Sequence, residues 1–299
     1  MTKRIRLPIL TVLLVLALVA VSRADSWTTI DYPGAAGTAV WGINVCGDMV
    51  GFWIDSDFNF HGFLLQRGRF TSLDVPNATF TQAADVNNRG VVVGRYFDAN
   101  DTERGFTWES GQFTTIDYPG AAVTRLRGID DFGRITGNFE NEDGHEHAFL
   151  LDSSGFHQFD FPNSDSSDIW DIDVLGRMVG DWSNTDDEVF GFTLMDGVFT
   201  DTNFPGAVDT SLRGINPQGE IVGVYDTSDG SFHGVLKTRN GMLSFDFPGG
   251  FDTFGFRINA RGDVVGRYVD ADGSLHGFVW NRRGGANGKL EHGAADMAD

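Results

Sequence analysis

The sequence predicts an all-β fold, a six-bladed β-propeller with four antiparallel strands in each 43-residue repeat. Three observations support it: the repeat spacing is constant, each copy has the pattern of four short strands, and the two ends of the chain are out of phase with the repeat. A β-solenoid is the alternative architecture for a repeat of this length.

The repeat is visible as a proline that recurs every 43 residues without insertion or deletion. Two glycines in each copy keep the same interval, starting at Gly47 and Gly51. Such regularity predicts six equal structural units. The prolines are Pro33, Pro76, Pro119, Pro162, Pro205 and Pro248.

The first copy shows how each unit divides into strands. Its first strand is predicted to end at Ile43, before a turn from Asn44 to Gly47. Asn or Asp at the first turn position and Gly at the fourth favour a type I turn, and the Gly is expected to have positive φ. The other three strands are predicted over residues 48–54, 61–65 and 70–75.

The chain ends predict how the ring closes. Trp27 to Asp31 is in phase with a fourth strand, whereas the last copy stops at Trp280, in its third strand. The N-terminal strand is therefore expected to complete the last blade, a phase shift for which a solenoid has no use. The predicted propeller spans residues 25–280. Residues 281–299 are polar and rich in Gly and Ala, which predicts a disordered tail.

Residues 1–24 have the order of a secretory signal peptide. A basic start is followed by an apolar run from Leu7 to Val21 and by small residues around Ala24. The run is shorter than the roughly 20 residues that a transmembrane anchor, the alternative, needs. We therefore expect a secreted protein, extracellular or periplasmic and bacterial, without membrane insertion after cleavage. Its single cysteine, Cys46, allows no intrachain disulfide.

Charge narrows the possible partners. The chain has 42 Asp and Glu against 22 Lys and Arg, a net charge of −20, which disfavours nucleic acid. The loops predicted between second and third strands hold 16 acidic residues and no Lys or Arg. Loops at Asp226 and Asp270 slightly resemble calcium loops but lack the distant Glu. We expect no cofactor, with calcium as the alternative. The acidic loop windows are residues 54–60, 97–103, 140–146, 183–189, 226–232 and 269–275.

The repeat resembles a known family. The phrase TTIDYPGA at residues 114–121, with His-Ala-Phe at 147–149 and His-Gly-Phe at 61–63 and 276–278, is similar to the HAF-type extracellular repeat of bacterial secreted proteins. The resemblance extends from Trp27 to Trp280. It implies an exported, propeller-type protein and brings no catalytic residues.

Positions filled alike in every copy are predicted to be structural, and a site is expected to break the symmetry. His61, His147, His233 and His276 recur in four copies, so we expect hydrogen bonds within each blade rather than a shared metal. No G-x-S-x-G or H-E-x-x-H motif is present.

Symmetry breaks most at two successive positions of the first strand. The first position holds Trp, Ala, Arg, Trp, Arg and Phe in chain order, and the second alternates Gly with a charged residue. We expect these side chains at the channel mouth, on the face of the acidic loops, where aromatic rings, Arg and Asp could form a sugar or small-anion pocket. The alternative is a plug whose charges pair with one another. The predicted ligand-binding residues are Trp41, Asp85, Arg127, Trp170, Asp171, Arg213 and Phe256.

These observations predict a non-catalytic, monomeric binding module for a glycan, a small ligand or a protein partner. One alternative is a propeller hydrolase or lactonase-like enzyme at the axial channel. The candidate catalytic carboxylates of such an enzyme would be Asp85 and Asp171, because Asp130 and Asp173 are expected at the opposite face. A purely structural surface protein is the other alternative.

Overall fold

The computed structural model describes residues 25–142 and 144–282 and shows an all-β, propeller-like fold with antiparallel blades. Four of its sheets have four strands each, paired in chain order. They are β6 (Phe80–Val86), β7 (Val92–Phe97), β8 (Glu103–Glu109), β9 (Gln112–Ile116); β10 (Val123–Ile129), β11 (Ile135–Glu140), β12 (Glu146–Asp152), β13 (Gly155–Gln158); β14 (Ser166–Ile172), β15 (Met178–Ser183), β16 (Val189–Met195), β17 (Val198–Asp201); and β18 (Thr210–Ile215), β19 (Ile221–Asp226), β20 (Phe232–Thr238), β21 (Gly241–Phe245).

The remaining eight strands form two more units of four, joined by a single parallel bridge between Gly37 and Leu275. In the second of these units, the N-terminal strand β1 pairs with β24, as predicted from the phase of the chain ends. The strands are β2 (Gly37–Ile43), β3 (Met49–Ile54), β4 (Phe60–Gln66), β5 (Arg69–Leu73); and β22 (Phe251–Ile258), β23 (Val264–Val269), β24 (Leu275–Asn281) with β1 (Ser26–Ile30).

The first strands of the units surround a central axis. Each contacts the first strand of the next unit, and β22 contacts β2, so the contacts run around a closed ring. Closure is a property of a propeller and not of a solenoid. β1 links the first and last units, because it precedes β2 in the chain and pairs with β24. The Trp27 ring of β1 stacks on the Trp280 ring of β24 with centroids 4.8 Å apart.

The recurrent residues have structural causes. The first repeated glycine has positive φ in all six turns, for example +85° at Gly47, as predicted. The second allows a close approach: a Cβ at Gly51 would lie 2.0 Å from the carbonyl oxygen of Ala39. A phenylalanine in the third strand of five copies fills the core; the sixth copy has Val235 at this position. Five copies of it are fully buried: Phe63, Phe106, Phe149, Phe192 and Phe278.

The six turns after the first strands are linked in a ring of hydrogen bonds. The Asn44 side-chain amide donates to the carbonyl of Asn87 at 3.3 Å, and Asn259 donates back to Asn44 at 3.1 Å. Two turns begin with Asp, which has no amide to donate. There Arg134 and Arg177, four residues later, make the link instead, to the carbonyls of the next turn.

Two of the predicted segments lie at the ends of the chain. The signal peptide, residues 1–24, lies outside the described residues, as does the predicted tail from residue 283 onward. The blade itself continues past residue 280, since Asn281 belongs to β24 and Arg282 forms an ion pair with Glu220 at 3.1 Å. Within the described ranges, no helix is long and apolar enough to cross a membrane.

Candidate functional site

A β-bulge places the asymmetric residues inside the channel. In every first strand the pairing register shifts around the first asymmetric position, which in β2 is Trp41, between Val40 and Gly42. Only Gly42 and Ile43 separate Trp41 from the end of β2 at the turn. The column formed by Trp41 and its equivalents therefore lies nearer the turns than the acidic loops, and the expectation that it lies at the acidic mouth is wrong. Its other members are Ala84, Arg127, Trp170, Arg213 and Phe256. The register of the bulge is not apparent in the sequence.

The structure brings the aromatic and arginine side chains of this column into one cluster. The Trp170 ring lies between two guanidinium groups, with Cζ of Arg127 at 4.0 Å and Cζ of Arg213 at 4.3 Å from its centroid. Trp41 stacks on Phe256 at 4.3 Å and meets Trp170 at 6.0 Å. Such contacts between cations and rings stabilise desolvated clusters. We call these five residues the axial plug.

The plug is bound to acidic side chains that the sequence did not single out. Asp181 accepts a hydrogen bond from Nε1 of Trp170 at 2.8 Å and another from the hydroxyl of Ser211. Arg127 donates to Asp168 at 3.1 Å. The available signal was the position two residues before the column, which also breaks the symmetry: Ala39, Gln82, Arg125, Asp168, Ser211 and Phe254.

Burial changes the electrostatics of this cluster. It raises the pKa of Asp168 to about 7 against the opposing charge of Arg127. It also raises the pKa of Asp181 and lowers that of Arg213 to about 10. Because these charges pair with one another in a buried environment, the arrangement matches the plug more closely than the pocket. Contact between the column and a ligand stays a prediction.

Next to the plug, Asp85, Asp171 and Arg257 converge on the axis. Nε of Arg257 lies 3.2 Å from Asp85 and 3.7 Å from Asp171. Each carboxylate also accepts a hydrogen bond from a backbone N–H of the adjacent unit, from the residue that follows the glycine there. The donor is Ile129 for Asp85, at 3.0 Å, and Ile215 for Asp171, at 2.8 Å. Burial raises the pKa of Asp171 to about 7, although Arg257 opposes this shift.

The alternation of glycine with these charged residues follows from space. A Cβ at Gly42 would lie 2.7 Å from Cα of Asp85, and one at Gly128 would lie 2.9 Å from Cα of Asp171. Gly214 stands in the same relation to Arg257, at 2.9 Å. Six side chains cannot converge at this level of the axis, so three of the six positions are glycine.

The channel opens at the turns into a cavity of about 90 Å³. Asp85, Asp171, Asp130 and Asp173 all line it, so the expectation that Asp85 and Asp171 lie at the face opposite Asp130 and Asp173 is wrong. They are already engaged: Arg134 donates to Asp130 and Arg177 to Asp173, both at 2.6 Å. The carboxylates of this cavity therefore serve folding, which disfavours a hydrolytic site at the axis.

The recurrent histidines bind within their own blades, as predicted. Nδ1 lies 3.0 Å from a carboxylate oxygen in three pairs and 3.2 Å in the fourth. One blade has Phe190 instead, and there the partner is the uncharged Asn203. Within the described part of the chain no three His, Cys, Asp or Glu residues form a possible metal group. The pairs are His61–Asp74, His147–Asp160, His233–Asp246 and His276–Asp31.

The acidic loops lie at the end of the ring opposite the cavity, because each joins a second strand to a third. Several of their carboxylates organise the loop itself. Asp55 accepts the backbone N–H groups of Asp57 at 2.8 Å and Asn59 at 2.9 Å. Hydrogen bonds from Asn59 lower the pKa of Asp55 to about 2.

Comparison with known proteins establishes the fold alone. The structure matches that of SapL1 lectin in complex with alpha methyl fucoside, with a TM-score of 0.55 and 13% identity over 83% of this chain and 94% of that one. It also matches AofleA from Arthrobotrys oligospora, with a TM-score of 0.55 and 11% identity over 86% of each chain. No protein-family model and no curated protein matches the sequence.

Proposed function

We propose that this protein is an exported, non-catalytic glycan-binding module built as a six-bladed propeller of HAF-type repeats. The observation that carries the proposal is the match to a lectin, SapL1, over most of both chains. The fold is the same kind of ring, and that protein's own complex contains a fucoside.

The chemistry of the axis supports binding over catalysis. Asp85 and Asp171 share Arg257, while Asp130 and Asp173 each have an arginine of their own. An acid–base pair needs a carboxylate that can reach a substrate. Here the carboxylates pair with arginine and with backbone N–H groups, so the binding surface lies away from the axis, on the acidic loops and the outer walls of the blades.

The test is a glycan array incubated with the purified mature protein, followed by calorimetric titration with alpha methyl fucoside and with each glycan that binds. We expect saturable binding to at least one neutral glycan, lost when the protein is unfolded. A folded protein that binds no glycan on the array would contradict the proposal and favour a purely structural role. Export is tested separately, by N-terminal sequencing of the protein from the culture medium or periplasm, with Asp25 expected first.

A further inference from the structure

One aromatic stack is repeated in five of the six blades. The residue before the recurrent proline lies face to face on a ring of the second strand, with centroids 3.6 to 4.6 Å apart and planes within 13° of parallel. The stacked pairs are Tyr32–Trp53, Tyr118–Phe139, Phe161–Trp182, Phe204–Tyr225 and Phe247–Tyr268.

The remaining blade lacks the upper ring of this stack. Val75 precedes its proline, and the second-strand ring below is Tyr96. In three of the other blades the upper ring also meets a fourth-strand phenylalanine edge-on, at 4.9 to 5.3 Å. The corresponding residue here is Phe113. A groove of about 540 Å³ is lined by Val75, Tyr96 and Phe113, of which Val75 and Tyr96 are buried and Phe113 is half-buried. It therefore lies beside the position that an aromatic ring fills in the other blades.

Polar groups surround this apolar floor. The hydroxyls of Tyr96 and Thr115 are hydrogen-bonded at 2.7 Å, and Arg104 fixes the Asp98 carboxylate at 2.8 Å. Three side-chain amides on the rim make no hydrogen bond with any described part of the chain, and each can both donate to and accept from a hydroxyl. They belong to Asn77, Asn100 and Gln112.

We propose that this groove binds the pyranose ring of a neutral sugar. Its C–H face would lie on the partly exposed ring of Phe113, beside the buried Val75 and Tyr96, and its hydroxyls would bind the three amides. A groove of this volume with one partly exposed aromatic ring and a few polar groups has the usual composition of a small-ligand site. The inference rests on the proposed function and assigns its binding site.

Two substitutions test the groove, and other blades supply both replacements. Val75→Phe restores the ring found in three other repeats and should block the sugar. Asn77→Gly removes one amide; Asn77 has φ +66°, and four other repeats have Gly there, also with positive φ, so the backbone is preserved. Phe247→Tyr is the control, because it keeps a stacked ring in another blade.

All four proteins are compared on the glycan array and by titration with the glycan that the wild type binds best, and their folding is checked by thermal unfolding. We expect at least tenfold weaker binding for Val75→Phe, several-fold weaker binding for Asn77→Gly, and no change for Phe247→Tyr. If folded Val75→Phe binds the glycan within twofold of the wild type, the groove is not the binding site, although the proposed glycan binding still holds. If Val75→Phe does not fold, unchanged binding by Asn77→Gly overturns it. A wild-type protein that binds no glycan overturns the proposed function and the groove together.

Discussion

The axial plug and the groove beside Tyr96 both break the six-fold repeat, but for different physical reasons. At the axis, equivalent residues of all six repeats converge, and in the layer next to the plug a Cβ at Gly42 would already lie 2.7 Å from Cα of Asp85. Six identical large side chains cannot fit there, so packing requires asymmetry. Val75 lies off the axis, where five blades hold an aromatic ring, so packing does not require the smaller residue. A break in symmetry indicates a ligand site only where the symmetric arrangement would fit.

The largest expected effect is at the axis. Trp170→Ala removes the ring that lies between Arg127 and Arg213 and leaves the two cations facing each other across a cavity. We expect a loss of about 3–5 kcal/mol in the free energy of unfolding, which is typical for truncating a buried Trp. Urea denaturation measures it.

Glycan binding by Trp170→Ala sharpens the comparison. If the plug is structural, binding by the folded variant at low temperature should equal that of the wild type. A normally stable variant with lost affinity would instead support the pocket predicted from the sequence.

A smaller loss is expected at a position that is the same in every blade. Gly133 has φ +85°, and a Cβ there would lie 2.9 Å from a guanidinium nitrogen of Arg89. Gly133→Val should cost about 1–3 kcal/mol, because a β-branched residue resists positive φ. Gly133→Asn is the matched control, since Asn tolerates this conformation better. Equal unfolding midpoints for the two variants would show that the turn does not depend on its φ.

The sequence predicts the repeated features well because each follows from local rules. The turn glycines, the N-terminal strand and the in-blade histidine pairs depend on backbone conformation or on residues with fixed spacing. The plug depends on the β-bulge at Trp41 and on contacts between blades such as Arg127 with Asp168, 41 residues apart. Such contacts appear only when the ring is closed.

The same limit explains the missed groove. The sequence shows Val75 among aromatic residues, but not that those residues stack on a second-strand ring 21 positions later. The signal in the sequence is a position that is aromatic in five repeats and differs in only one, rather than a position that differs in every repeat.

A weak pH effect is expected at the ring closure. Burial acts to lower the pKa of His276, but the hydrogen bonds that its ring donates to Asp31 and Asp270 outweigh this effect, and the pKa is raised. Stability from the protonated histidine is therefore complete below its ordinary pKa of 6.5 and is lost as pH rises through the raised value. For a partly exposed pair this amounts to less than about 1 kcal/mol.

Thermal unfolding between about pH 6 and pH 8.5 tests this dependence. We expect the midpoint of the wild type to fall slightly over this range and that of His276→Gln to fall less. An identical pH dependence in both proteins would show that the His276 pair does not stabilise the last blade.

The smallest expected effect compares the two breaks directly, by adding the same ring to each. Val75→Phe places a phenyl group where five blades hold an aromatic ring, so it should bury more apolar surface and change the free energy of unfolding by less than about 1 kcal/mol, in the stabilising direction. Ala84→Phe adds the same group to the plug, where Ala84 is buried, and overpacking there should cost about 1–3 kcal/mol. Paired urea denaturation curves distinguish the two outcomes. A loss in Val75→Phe as large as that in Ala84→Phe would mean that packing also dictates Val75, and the valine would then carry no information about a ligand.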